Sequence, residues 1–277
     1  MSSTETPRPS HTGRNVALIV AGVIIVAMIA WLAVGVVRSF VNRPGDASDT
    51  FEIDGSFHSV VLDGDLADVS VEYGDVSRSE LTVHQGDARQ RLELDHEVRG
   101  DTLHVSLTHD REFGMPDLWW PWFGTRSPEL VLVLPAQLES RPVTLDLSTD
   151  MGDVDAVGIY ADVSARSHVG DITLRGAADS LDVHTDAGEI DLDRFSTEGE
   201  LSAKSAVGDV TLELEALPSE LRVESEVGQV HVDLPEGRYA LTVDTDIGDV
   251  EIDAQNDPSA ARRYEFTTNV GDISVKS

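Results

Sequence analysis

One phrase, repeated seven times, constrains this chain more than any other feature. It reads LDLSTDMGDVDA at 145–156, VSARSHVGDITL at 163–174, LDVHTDAGEIDL at 181–192 and LSAKSAVGDVTL at 201–212. It continues as LRVESEVGQVHV at 221–232, LTVDTDIGDVEI at 241–252 and YEFTTNVGDISV at 264–275. The glycines at its centre are Gly152, Gly170, Gly188, Gly208, Gly228, Gly248 and Gly271, 18 to 23 residues apart. Self-similarity at a near-fixed period marks a repeat architecture, in which each unit buries its apolar face against its neighbours.

Within each copy apolar and polar residues alternate, the period of a half-buried strand. Around Gly188, the residues Leu181, Val183, Thr185 and Ala187 share a face, and Ile190 and Leu192 resume it after Gly188–Glu189 shifts the alternation by one. A chain that keeps its apolar face inward across such a shift turns a corner there, and glycine takes the φ > 0 of a corner without a Cβ penalty. Two architectures share this local pattern: a meander of Gly-Asp hairpins, or a solenoid whose copies stack about 4.8 Å apart. The columns favour the solenoid. Three before each glycine stand Thr149, Ser167, Thr185, Ser205, Ser225, Thr245 and Thr268, a hydroxyl in every copy. A buried hydroxyl needs a partner, and an identical hydroxyl one rung away is the expected one. The expected fold is therefore all-β, with residues 143–277 as a β-solenoid of about seven rungs, roughly 30–35 Å long. Residues 51–142, whose strands lack the clean phrase, are expected to be its irregular start and cap.

Ahead of this domain, Val16 to Val37 form 22 uncharged, almost wholly apolar positions. At 1.5 Å per residue such a helix spans about 33 Å, enough to cross a bilayer. A cleavable signal peptide would have a shorter apolar core and a small-residue cleavage site. The expectation is a single membrane span at 16–37, a cytoplasmic tail at 1–15 and a linker at 38–50, with the C-terminal domain extracytoplasmic. Arginines flank the span equally, two on each side, so orientation rests on the tail being too short to fold.

The LxVxSxVGDVxL phrase after an N-terminal anchor resembles the bacterial β-strand-repeat "putative adhesin" family of unknown function, which includes LiaG-like cell-envelope proteins. The resemblance covers about 51–277. It implies a right-handed β-helix-like ectodomain on the bacterial cell envelope, and it carries no catalytic residue over.

Charge narrows the partners. The chain has 51 Asp and Glu against 20 Lys and Arg, a net −31. Phosphate would be repelled, which excludes nucleic acid as a partner. There is no Cys, hence no disulfide, thiolate metal site or Cys nucleophile.

Two groups of residues could carry chemistry. The residues after the glycines, Asp153, Asp171, Glu189, Asp209, Gln229, Asp249 and Asp272, would form a ladder along one edge. Its six carboxylates, Asp153, Asp171, Glu189, Asp209, Asp249 and Asp272, are candidates for weak Ca²⁺ sites, since Ca²⁺ favours clustered oxygens. The alternative is that Asp suits the turn and its charge fans into water. The second group is the segment 111–124, REFGMPDLWWPWFG, read as a loop. Its Trp119, Trp120, Trp122 and Phe123 either stack on a sugar, a partner protein or the membrane interface, or cover the solenoid end. No GxSxG, HExxH, GxGxxG or P-loop phrase is present, and uniform rungs offer no special catalytic pair. No enzyme activity and no cofactor beyond weak Ca²⁺ are therefore expected. The functional expectation is interaction or scaffolding at the cell envelope, with a cell-wall polymer or another envelope protein as partner. An accessory role in envelope-stress signalling is the alternative, and polysaccharide cleavage a further one.

Overall fold

A computed structural model describes residues 48–84, 92–109 and 127–277. The predicted span 16–37 and the aromatic segment 111–124 with Trp119, Trp120, Trp122 and Phe123 lie outside these residues. Among the described residues no helix is long and apolar enough to cross a membrane.

The described chain is built from strands. Each copy of the phrase places one strand before its glycine and another after it, and each pairs in parallel with the equivalent strand of a neighbouring copy. Before the glycines run β8 (Thr144–Met151), the second half of β9 (Val154–Val169), the second half of β10 (Ile172–Ala187), β12 (Glu200–Val207), β14 (Glu220–Val227), β16 (Ala240–Ile247) and β18 (Arg263–Val270). After the glycines run the first halves of β9 and β10, then β11 (Ile190–Ser196), β13 (Val210–Leu214), β15 (Val230–Asp233), β17 (Val250–Asp253) and β19 (Ile273–Lys276). Register is strict: Leu145 stands beside Val163, Val163 beside Leu181, and Leu181 beside Leu201. A hairpin meander would pair neighbours antiparallel; the parallel ladders make this a solenoid.

The alternation fills the interior. Leu181, Val183, Ile190 and Leu192 of one rung lie on Leu201, Ala203, Val210 and Leu212 of the next, all buried. At roughly 25 cal/mol per Å² of apolar surface, this continuous column is the main stabilising term.

Upstream strands start the stack. β2 (Ser59–Asp63) pairs with β8, and β3 (Asp68–Gly74) with the first half of β9. β6 (Thr102–His109) and β7 (Glu129–Pro135) form the next layer out. Antiparallel strands then close this end: β5 (Leu92–Arg99) on β6, β4 (Ser79–His84) on β7, and β1 (Ser48–Ile53) on β4.

At the other end, spatial order departs from chain order. The phrase implies copies stacked in sequence, yet β14 pairs with β18 and β15 with β19. The rung 240–253 lies outside them, β16 on β18 and β17 on β19. Size explains the exchange. Tyr264, Phe266, Ile273 and Val275 are buried in the interposed rung, whereas the outer one offers only Leu241 and Val243 opposite the two aromatic rings, with Val250 and Ile252 opposite Ile273 and Val275. Tyr239, at the entry to β16, stacks on Tyr264 with ring centroids 5.3 Å apart.

Candidate functional site

The edge where every rung turns is the most regular surface of the molecule, and its geometry follows from what the backbone needs at a corner. A buried or half-buried peptide group must find a partner. The glycine N–H finds one in the next rung: Gly188 N donates to the Val207 carbonyl and Gly208 N to the Val227 carbonyl, each at 2.9 Å. Two other groups are served by side chains.

The first is the glycine carbonyl. It accepts from the hydroxyl of the adjoining rung: Ser167 to Gly152 (3.0 Å), Thr185 to Gly170 (3.0 Å), Ser205 to Gly188 (3.1 Å) and Ser225 to Gly208 (3.2 Å). Thr268 to Gly228 and Thr245 to Gly271 follow suit. The partner is thus a glycine carbonyl, where hydroxyl-to-hydroxyl pairing was expected. Thr149 has no glycine phrase before it and donates to the Ala67 and Asp65 carbonyls instead.

The second is the N–H just after the glycine. The preceding rung's aspartate accepts it: Asp153 from Asp171 N (2.8 Å), Asp171 from Glu189 N (2.7 Å), Asp209 from Gln229 N (2.7 Å) and Asp272 from Asp249 N (2.8 Å). Asp68 does the same for Asp153 N. Glu189 and Gln229, one methylene longer, make no such bond. These aspartates are therefore inter-rung braces, each with one carboxylate oxygen engaged. Among the described residues no group of three or more His, Asp or Glu is arranged to hold a metal ion.

Glycine is required at this corner by close approach as much as by φ. A Cβ on Gly208 would lie 1.9 Å from the Gly188 carbonyl oxygen, and Gly188, without a left-handed φ, would meet the Gly170 oxygen at 2.0 Å. The expectation of a φ > 0 corner holds for five of the seven, with φ between 150° and 158°. What all seven share is that the neighbouring backbone passes where a side chain would begin.

Burial among like charges shapes the first carboxylates. Asp153 is pushed up to about 6, chiefly by burial and then by Asp68 and Asp171, against the lowering pull of the Asp171 N–H. Asp155 also rises to about 6, by burial and then by Asp153. Burial raises Asp68, Glu189 and Asp191 as well.

The corner also carries a feature the alternation misassigned. The residue just before each glycine, read as inward-facing, lies at the outer edge. In spatial order the column is Met151, Val169, Ala187, Val207, Val227, Val270 and Ile247, each in register with the next. Met151 is 55% exposed, Val169 48%, Val270 41% and Ile247 57%; the middle three are half-buried. An apolar residue at this position in every copy was the available signal. The aspartate column runs one glycine away, so an apolar ridge of roughly 29 Å lies beside a row of carboxylates.

The profile of the Toastrack DUF4097 domain matches residues 58–277. Solved structures to which the chain is similar include a "putative cell adhesion protein" from Clostridium sporogenes, at 11% identity and TM-score 0.40, covering 84% of this chain and 99% of that one. A "putative adhesin" from Bacteroides fragilis matches at 14% identity and TM-score 0.48, over 84% and 98%. Another, from Parabacteroides distasonis, matches at 11% identity and TM-score 0.45, over 83% and 97%. No curated protein matches the chain. The all-β parallel stack, its repeated glycine corner and a profile match over most of the length bear out the resemblance read from the repeats: this chain belongs to the Toastrack DUF4097 family.

Proposed function

We propose that this chain is a membrane-anchored, extracytoplasmic, adhesin-like interaction module, held by the span 16–37 and acting by binding. The observation that carries this reading is the in-register apolar column from Met151 to Ile247. The column is apolar in all seven rungs and exposed at Met151, Val169, Val270 and Ile247, and apolar patches of this kind mark binding surfaces. The adjoining carboxylates select for a partner that is neutral or cationic. The aromatic segment 111–124 is a second contact on the same reading, through Trp119, Trp120, Trp122 and Phe123.

The test is co-sedimentation of the full-length, detergent-solubilised protein with isolated cell walls and with lipid vesicles, with and without Ca²⁺. Wild type is compared with Met151→Ser/Val169→Ser/Ile247→Ser/Val270→Ser and with Trp119→Ala/Trp120→Ala/Trp122→Ala. The expected result is retention of wild type on walls, lost in the quadruple variant at an unchanged melting temperature. Loss in the Trp variant alone moves the site to the aromatic segment. Undiminished binding by both variants rejects both surfaces, and a Ca²⁺ requirement assigns the carboxylate ladder a metal-binding role.

A further inference from the structure

The two ends of the stack differ. Antiparallel strands close the β1, β4 and β5 end, but nothing described lies beyond the rung 240–253. Its inward side chains are accordingly uncovered: Val250 and Ile252 are each 44% exposed, and Leu241, Val243 and Thr245 are only half-buried. Its backbone is uncovered too. In the rung beneath, Gly271 N donates to the Ile247 carbonyl and Ile273 N to the Asp249 carbonyl. The equivalent donors of the outer rung, Gly248 N and Val250 N, point where no rung follows. One position shows what the edge accepts. The Asn256 side chain takes the Leu241 N–H at 3.1 Å and donates to the Leu241 carbonyl at 3.4 Å, as a neighbouring strand would. Past Leu241 no described residue pairs with this edge.

Charge states the chemistry of what would fit. Inside the stack, outward carboxylates meet cations of an adjacent rung: Asp182 and Asp146 with Arg166, Asp193 with Arg175, Glu224 with Lys204, Glu265 with Arg222. On the outer rung Asp244 stands opposite Thr267, and Glu251 opposite Ser274. Residues 240–253 hold five carboxylates and no cation. A second copy of the same rung would set like charge against like, which opposes pairing. We infer that the rung 240–253 is an acceptor edge for a segment of another protein that alternates apolar residues with Lys or Arg and bends with the rung at the Gly248 corner. Its apolar side chains would cover Val243, Val250 and Ile252, its backbone would continue the ladder, and its cations would meet Asp244 and Glu251. This is strand addition to an open sheet edge, where backbone bonds give affinity and side-chain pairing gives selection.

The probe is a synthetic peptide of residues 240–253 carrying Asp244→Lys, Asp246→Lys, Asp249→Lys, Glu251→Lys and Asp253→Lys. Its binding to the full-length protein is followed by fluorescence anisotropy, beside a scrambled peptide of the same composition. The scrambled peptide should bind about tenfold more weakly, because attraction to an acidic surface alone ignores alternation. Val250→Pro in the protein removes one edge N–H while sparing the ladder to β19, and should weaken binding about tenfold, the worth of one well-placed hydrogen bond. Asp244→Asn/Glu251→Gln, whose fold is checked by its melting curve, should weaken it and flatten its salt dependence. Equal binding of both peptides, or affinity unchanged in the neutralised variant, overturns the inference. So does concentration-dependent self-association abolished by Val250→Pro, which would assign the edge to a second copy. The two surfaces share Ile247, but Asp244, Val250 and Glu251, the residues varied here, lie outside the Met151–Ile247 column, so either surface can fail alone.

Discussion

At the scale of single residues, the corner divides its work among three side-chain types whose substitutions should rank clearly. Gly208→Val places atoms inside the Gly188 carbonyl contact and should cost about 4 kcal/mol or more. Ser205→Ala strips the Gly188 carbonyl of its hydroxyl donor and should cost about 1–3 kcal/mol. Asp209→Asn keeps an oxygen for Gln229 N and should cost under about 1 kcal/mol, the charge-assisted part of one bond. Denaturant unfolding of the three variants checks the order, and equal midpoints would contradict the corner geometry. The hydroxyl and glycine columns were legible because a repeat prints its constraints seven times. Their mutual bond was not, since it joins one copy's carbonyl to another copy's side chain and needs the stacking offset. In the sequence the aspartates stand as weak metal ligands or as turn formers; only the 2.7–3.0 Å contacts to N–H groups show them as braces.

At the scale of elements, the exchanged order of the last two rungs turns side-chain bulk into topology. Both phrases fit either seat, because their glycines, hydroxyls and alternation agree; nothing in the pattern signals the exchange, so it reads as copies stacked in chain order. Burying Tyr264 and Phe266 removes more apolar area from water than burying Leu241 and Val243 would. Phe266→Ala should therefore cost about 3–5 kcal/mol, as a core truncation does. Val243→Ala on the outer rung should cost about 1 kcal/mol or less. Thermal unfolding of the pair decides it: comparable losses would mean that the rungs sit in chain order. Parallel pairing itself was legible from the columns, and the register followed from the phrase. The outward turn of the residue before each glycine was not, because a strict period of two places it inside and the corner breaks that period one residue earlier than Gly188–Glu189 suggests.

At the scale of the whole molecule, a net charge of −34 over residues 46–277 makes stability a function of pH. Asp153 and Asp155 rise on folding from an ordinary 3.8 to about 6. The folded state therefore binds more protons than the unfolded state between these values, and stability falls as pH rises through this window. The melting temperature should be higher at pH 5 than at pH 8 by a few degrees, about what 1 kcal/mol produces in a domain of this size. Asp153→Asn/Asp155→Asn should flatten the profile, and an unaltered profile would place the effect in the general acidity of the surface. The exchanged rungs bear, finally, on how such a molecule is completed. A chain that leaves the ribosome or a translocase from its N-terminal side presents 240–253 while the seat on 220–233 is vacant. Residues 263–276 arrive later and need that same seat. The early occupant must stand off or be displaced outward on the tethers 234–239 and 254–262, so the tip cannot be completed by adding rungs in chain order.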